Sequence, residues 1–214
     1  GGGPAGLIAA ETLVNAGASV IVYDRKPSLG RKFLMAGRGG LNLTHSESLD
    51  KFLKKYGTAE NFLTPIIQDF SPDKLRAWCE ELGQETFVGS SGRVFPKAMK
   101  ASPLLRAWLN RLDQSGVQFK LQRTWKGSTE DGALIFDTPE GMVKTARPDA
   151  VLLTLGGASW PSLGSDGAWT KLITAPINPL KPSNCGFVCD WSDYMKKYAG
   201  TPLKNIAITH NGQS

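Results

Sequence analysis

Two stretches of the chain carry apolar side chains at helical spacing. Leu75, Trp78, Cys79 and Leu82 recur at i, i+3, i+4 and i+7, and Leu104, Leu105, Trp108, Leu109 and Leu112 form a matching stripe. Both stretches are punctuated. Ser71-Pro72 and Ser102-Pro103 read as N-caps with Pro at the first helical position, and Gly83 and Gly116 read as stops. The stripes therefore predict two core-facing helices. A third helix is expected from Pro4 to Ala16, stopped by Gly17. It is followed by a short β-branched run, Ser19 to Tyr23, with the character of a buried parallel strand.

Further along, VQFKL, ALIFDT and MVKTA are short strand-like runs between Val117 and Arg147. The Gly-containing turns between them predict a small antiparallel meander. DAVLLTL then predicts a second buried strand, feeding GGASWPSLGSDGAW. Strand, helix, strand, excursion and glycine-ended strand describe an α/β chain with a doubly wound sheet. Residues 25–45 are rich in Gly, Arg and Lys without periodicity and too long for a plain connector, so a ligand contact is expected there. From about Pro176 the texture turns Pro-rich and mixed, as at the start of a second domain cut short.

Composition narrows the class. A chain of 214 residues with 41% hydrophobic content can bury one sizeable core. It shows neither an apolar membrane-length run nor a basic-then-apolar leader. Three scattered cysteines, Cys79, Cys185 and Cys189, do not make a disulfide framework and fit a reducing cytoplasm, and no metal site is expected from them. The net charge of +6 is spread among interleaved acids, which favours a solvated surface with affinity for phosphate-bearing ligands over nucleic-acid binding. His45 and His210, the only histidines, read as loop residues. No nucleophile elbow, zinc-protease motif, Walker loop or paired catalytic carboxylates are present.

The opening GGGPAG is the candidate chemistry. Gly1, Gly3 and Gly6, with Pro4 and Ala5 between them, fit G-x-G-x-x-G. The first glycine serves a tight turn, the second a close approach of backbone to a pyrophosphate, the third the packing of helix on strand. The helix dipole and its free N–H groups hold the phosphates. Asp24 ends the next strand 18 residues after Gly6, where an acid accepts from ribose hydroxyls and disfavours a 2′-phosphate. The pattern specifies an ADP-containing cofactor and does not separate FAD from NAD. The glycines begin the chain without the strand that normally precedes them, so the sequence reads as a fragment, with weak FAD retention expected of it in isolation.

Taken together, GGGPAG, VYDRKPSLGRKFLMAGRGGLNLT, SGRVFPKAMKAS and LGGASWPSLGSDGAW resemble the bacterial NAD(P)/FAD-dependent oxidoreductase flavoproteins of the BaiN-like and aminoacetone-oxidase-like kind. The resemblance covers essentially the whole chain and implies FAD. It implies a glutathione-reductase-like Rossmann FAD-binding domain over 1–175, first strand missing, and the truncated start of an inserted β-rich domain over 176–214. Residue by residue, Gly1, Gly3 and Gly6 would hold the pyrophosphate and Asp24, with Arg25 beside it, the adenosine ribose. Arg31 and Lys32 would line the flavin side, Asn42 and Thr44 would stand beside the flavin, Trp125 would meet adenine through its main chain, and Gly156 and Gly157 would complete the cofactor cleft. The chain departs from its relatives in having Leu155 where Thr is usual before the paired glycines, and Gly40-Leu41 where Arg-Cys is frequent. Those departures mark a distinct subgroup.

The implied activity is hydride transfer through the flavin N5, between an organic substrate or NAD(P)H and an acceptor the sequence does not name. A tRNA-modifying flavoprotein and a dinucleotide-binding module without turnover are the alternatives, and the first would need a basic stripe with exposed aromatics. The expected partners are a small-molecule substrate and NAD(P)H as a candidate donor. Neither membrane nor nucleic acid is expected.

Overall fold

Gly3 at the N-cap and Pro4 at the first helical position start helix α1 (Pro4–Asn15), because Pro presets the helical φ and gives up an N–H that has no partner there. The computed structural model describes residues 1–36, 39–182, 190–201, 207 and 209. After α1 come strand β1 (Ile21–Tyr23), helix α2 (Arg31–Ala36), strand β2 (Thr44–His45) and helices α3 (Leu49–Lys54), α4 (Glu60–Asp69) and α5 (Pro72–Glu81). Strands β3 (Thr86–Val88) and β4 (Arg93–Pro96) lead to α6 (Ala101–Gln114). Then follow β5 (Gln118–Lys120), β6 (Thr124–Ser128), β7 (Leu134–Thr138) and β8 (Gly141–Lys144).

The chain divides into two units, Gly1–Leu180 and Lys181–Ser214. The first is a mixed α/β body with, among the described residues, three small sheets: β1 parallel to β5, an antiparallel β2-β4-β3 sheet, and the antiparallel β6-β7-β8 meander. Its core sits between α1, α5 and α6 and the parallel pair. There Leu7, Cys79, Leu104, Leu105, Trp108, Leu112, Val22 and Val117 form one cluster. Full burial of each large aliphatic side chain contributes about 1.5–3 kcal/mol, so this cluster carries the fold. The described part of the second unit holds a short helix, α7 (Asp193–Lys196), where Lys197 lies 4.0 Å over the Tyr194 ring. Cys185, Cys189 and His210 lie outside the described residues.

Both helical stripes are core, as their periodicity predicts. The Ser71 side chain caps α5, accepting from the Lys74 N–H at 3.3 Å. Helix α6, by contrast, starts at Ala101 with Lys100 as N-cap, so Ser102 and Pro103 lie inside its first turn, where a missing N–H costs no helical bond. VQFKL belongs to the parallel pair, not to the meander. Helix α6 returns the chain to the starting end of β1, and a strand leaving from there runs alongside β1. The meander takes Thr124–Ser128 as its first strand instead.

The largest departure is DAVLLTL. It forms no strand, and Val151, Leu152 and Leu153 are 48%, 63% and 44% exposed. An apolar run becomes a buried strand only where a neighbour pairs its N–H and C=O rows, and among the described residues none does. Residues 25–45 are more ordered than their composition suggests, containing α2 and β2. His45 is a strand residue paired with Arg93, not a loop residue. Its Nδ1 accepts from the Glu47 N–H at 3.1 Å, and its Nε2 lies 3.0 Å from the Ser91 carbonyl.

Candidate functional site

The glycine turn is built by contacts only glycine allows. A Cβ on Gly6 would stand 1.8 Å from the Gly1 carbonyl oxygen, and one on Gly1 would stand 2.4 Å from the Thr154 carbonyl oxygen. Gly3 is different: a Cβ there would meet no protein atom within 4 Å, and its φ of −84° is open to any residue. Gly1 and Gly6 are thus required by the protein's own packing, and Gly3 by nothing inside the protein. It faces out at the N-terminus of α1, where Pro4 and Ala5 are exposed.

Asp24 locks this turn to the sheet. Its Oδ2 accepts from the Gly2 N–H at 2.6 Å and its Oδ1 from the Lys26 N–H at 2.7 Å. Its backbone extends the β1–β5 ladder, donating to the Lys120 carbonyl, and accepts from the Arg123 N–H. The Gly30 N–H donates to the Gly2 carbonyl at 2.9 Å, and the Thr154 hydroxyl donates to the Gly1 carbonyl at 3.0 Å. Two segments far apart in sequence, 1–6 and 24–30, and Thr154 therefore meet at one turn. Each oxygen of Asp24 keeps a further lone pair for another donor.

The cations beside the turn divide into two kinds. Arg25 donates to Asp166 Oδ2 at 2.9 Å and to the Gly164 carbonyl, Lys26 donates to the Ser162 carbonyl at 3.2 Å, and Lys32 donates to the hydroxyls of Ser159 and Ser165 at 2.9 and 3.2 Å. These three hold residues 159–166. Arg31 is held less: one guanidinium nitrogen lies 3.3 Å from the Ser28 hydroxyl, while its Nε is buried with no acceptor. The Arg25 guanidinium, helped by the Ala168 N–H, keeps the Asp166 carboxyl below the usual carboxylate range.

Trp125 lies on β6, two residues beyond the Arg123 N–H that binds Asp24. Its indole N–H is buried without an acceptor. Phe136, its cross-strand partner, stacks on Tyr23 at 4.4 Å and so ties the meander to the strand that ends in Asp24. Gly156 and Gly157 serve the loop through their carbonyls, which accept from the Trp169 indole and the Gly167 N–H.

Asn42 and Thr44 stand elsewhere. Thr44 pairs with Val94 in the second sheet, and Asn42 is exposed beside Gly40 and Leu41, whose φ values are +107° and +56°. A left-handed Leu is costly and marks a backbone held by its surroundings. Gly40 lies against Met99, itself at φ +49°, so the GGLNLT and KAMKAS motifs form one corner. That corner and the glycine turn are linked through the core, where Leu41 and Leu29 share a cluster with Leu7.

Sequence reasoning missed Glu11, Ser159, Ser165 and Asp166. Glu11, on α1 and only 7% exposed, accepts from the Trp78 and Trp108 indoles at 3.2 and 2.7 Å and from Arg111 at 2.9 Å. An acid on a helix face bordered by Leu7 and Ala10 was the available signal. The serines and Asp166 carried none, because their partners are more than a hundred positions away. Among the described residues there is no group of metal-ligating side chains, and no helix is long and apolar enough to cross a membrane.

The chain resembles known proteins over most of its length. The family profile described as HI0933-like protein Rossmann domain matches residues 1–188. The chain is 26% identical over 189 residues to the 3-dehydro-bile acid delta(4,6)-reductase of Clostridium scindens, a match covering 85% of this chain and 44% of the relative. The chain thus spans less than half the length of that relative. Among solved structures it resembles the 3-ketosteroid-delta4-(5alpha)-dehydrogenase of Rhodococcus jostii RHA1, with a TM-score of 0.50 at 14% identity, covering 73% of this chain and 44% of that one. THI4 of Thermovibrio ammonificans aligns with a TM-score of 0.46 at 17% identity, covering 76% of this chain and 58% of that one.

Proposed function

The chain belongs to the HI0933-like Rossmann-domain family, and we propose that it forms the dinucleotide-binding part of an FAD-dependent oxidoreductase. The observation that carries this reading is the convergence at the phosphate turn: Gly1–Gly6, Asp24, Gly30 and Thr154 bonded into one unit beside the free N-terminus of α1. The residues fit such a group on two counts. Gly3 keeps a backbone approach that the protein's own packing does not require, and Arg31 Nε and Trp125 Nε1 are buried donors without acceptors. Buried donors are normally satisfied, so a ligand acceptor at each site accounts for them.

The roles follow from the positions. The N–H groups of the α1 start and its dipole hold the diphosphate. The free lone pairs of Asp24 accept from the ribose hydroxyls, and its charge repels a 2′-phosphate. Trp125, cross-strand from Phe136, which stacks on Tyr23, would serve the adenine end. Arg31 offers its Nε and its positive charge toward the rest of the cofactor, while the Gly40–Thr44 corner supplies backbone groups held in place by Met99 and β4. When bound, FAD supplies hydride chemistry, and the protein contributes orientation, positive charge and exclusion of water.

The reaction is hydride transfer between an organic substrate or NAD(P)H and a second acceptor, on a small molecule. The name of the Clostridium scindens relative makes unsaturated 3-oxo steroids the first compounds to try. Anaerobic mixing of the flavin-loaded protein with NADH, NADPH and then a panel including such steroids tests it. Bleaching of the flavin band by one donor, with recovery on adding an acceptor, is the expected result. A flavin that no donor reduces would leave a binding module without turnover.

A further inference from the structure

Residues 156–167 form a strap with its own internal structure. Trp160 and Ser165 exchange both backbone bonds at 3.0 Å around a single turn, Pro161–Leu163, so the segment holds its shape as a unit. Glycines stand at both ends and within it: Gly156 at φ +74°, Gly164 at φ +100° and Gly167 at φ +68°. Outside the strap, the preceding residues 148–155 belong to no helix or strand. Among the described residues, its hydrogen bonds to residues 25–32 are all donated by side chains of that segment. Arg25 takes Asp166 and the Gly164 carbonyl, Lys26 takes the Ser162 carbonyl, and Lys32 takes Ser159 and Ser165, the last only 6% exposed. A Cβ on Gly164 would stand 3.1 Å from Lys26 Cε and 3.5 Å from Arg25 Nε, so the strap lies directly on these two side chains.

These fasteners leave from the segment that also fixes the phosphate turn, through Asp24 to the Gly2 N–H and Gly30 to the Gly2 carbonyl. Of the charged groups in the latch, three are cations and only Asp166 is an anion. Salt-exposed pairs of this kind are individually weak and open readily. We infer that Arg25, Lys26 and Lys32 are positioning residues that latch the 156–167 strap beside the phosphate turn, and that the Arg25–Asp166 pair sets how long a bound dinucleotide is retained. This rests on the dinucleotide-binding reading. It assigns Arg25 to the strap and not to the cofactor itself.

A charge-swap series on the full-length protein tests the latch with two readouts, the FAD dissociation rate and hydrogen exchange of residues 158–167 without ligand. Arg25→Glu is expected to raise both by about tenfold, since it replaces an attraction with a repulsion, and added salt to raise both in the parent protein. Adding Asp166→Lys to Arg25→Glu should recover the part of both that the ion pair supplies, the Gly164 carbonyl losing its donor in either variant, and a residue acting by touching the cofactor would show no such recovery of the FAD rate. Unchanged readouts in Arg25→Glu overturn the inference. So does faster FAD release that the swap fails to restore, which would put Arg25 on the cofactor. Should the parent protein take up no FAD, the flavin reading fails, while the exchange arm still decides the latch: loss of protection recovered by the swap upholds it, and no change rejects it.

Discussion

Replacing Gly3 with Ala separates a ligand's requirement from the protein's. The added methyl meets no protein atom within 4 Å, and φ −84° with ψ 179° is ordinary extended backbone for Ala. As an N-cap, Ala is poorer than Gly by up to ~1 kcal/mol. The stiffer unfolded chain returns ~0.4–1 kcal/mol, so the net change in stability is near zero. The melting temperature should then move by less than about 4 °C. Cofactor binding should behave otherwise, because the methyl stands where a diphosphate must approach the backbone. Loss of one N–H bond to a charged acceptor costs about 1.5–3 kcal/mol. That corresponds to roughly a 10- to 150-fold weaker Kd. Gly6→Ala is the control of opposite sign, since its Cβ would collide with the Gly1 carbonyl oxygen and the turn itself should fail. Thermal melts and FAD titration by flavin fluorescence read both. A folded Gly3→Ala protein that binds FAD like the parent would refute the placement of the diphosphate.

Three further outcomes follow. Glu11→Ala leaves two indole N–H groups and the Arg111 guanidinium without their acceptor in the core, and should cost about 3–5 kcal/mol in urea unfolding, whereas a surface acid such as Glu130 should cost almost nothing. Burial, with Glu80 nearby, pushes the Cys79 thiol up to about 11, so a thiol reagent at neutral pH should label it only as fast as the protein unfolds; rapid labelling of the native protein would contradict its place in the core. The carboxyl of Asp166 is depressed in the folded state, so its contribution is fully present above the ordinary carboxylate range and is lost as pH falls through its lower folded value. Strap protection in hydrogen exchange should hold at neutral pH and fall only in acid, and Asp166→Asn should abolish that dependence.

Helices α5 and α6 were legible because each buries one face, and a buried face writes a 3.6-residue period into the sequence, whereas α1 was legible from Pro4 at its start and Gly17 at its stop. Helix α4 was not: Pro65 lies inside it, none of its residues is buried, and Phe62 and Ile66 face out. The β2-β4-β3 sheet is built from strands of two to four residues, too short for a period of two to register. VQFKL was recognised as a strand but given the wrong neighbours, since pairing is decided by where α6 delivers the chain. At the site, the Asp24 spacing was readable because turn, helix and strand have fixed lengths. The strap contacts were not, because Arg25 and Asp166 are 141 positions apart and nothing local couples them.

The account stands most directly on the visible absorption spectrum of the purified full-length protein, with identification of whatever chromophore acid releases. The spectrum of oxidised flavin, with FAD released in stoichiometric amount, is the predicted result. A colourless protein that takes up no added FAD would contradict the central claim and leave the phosphate turn to some other nucleotide.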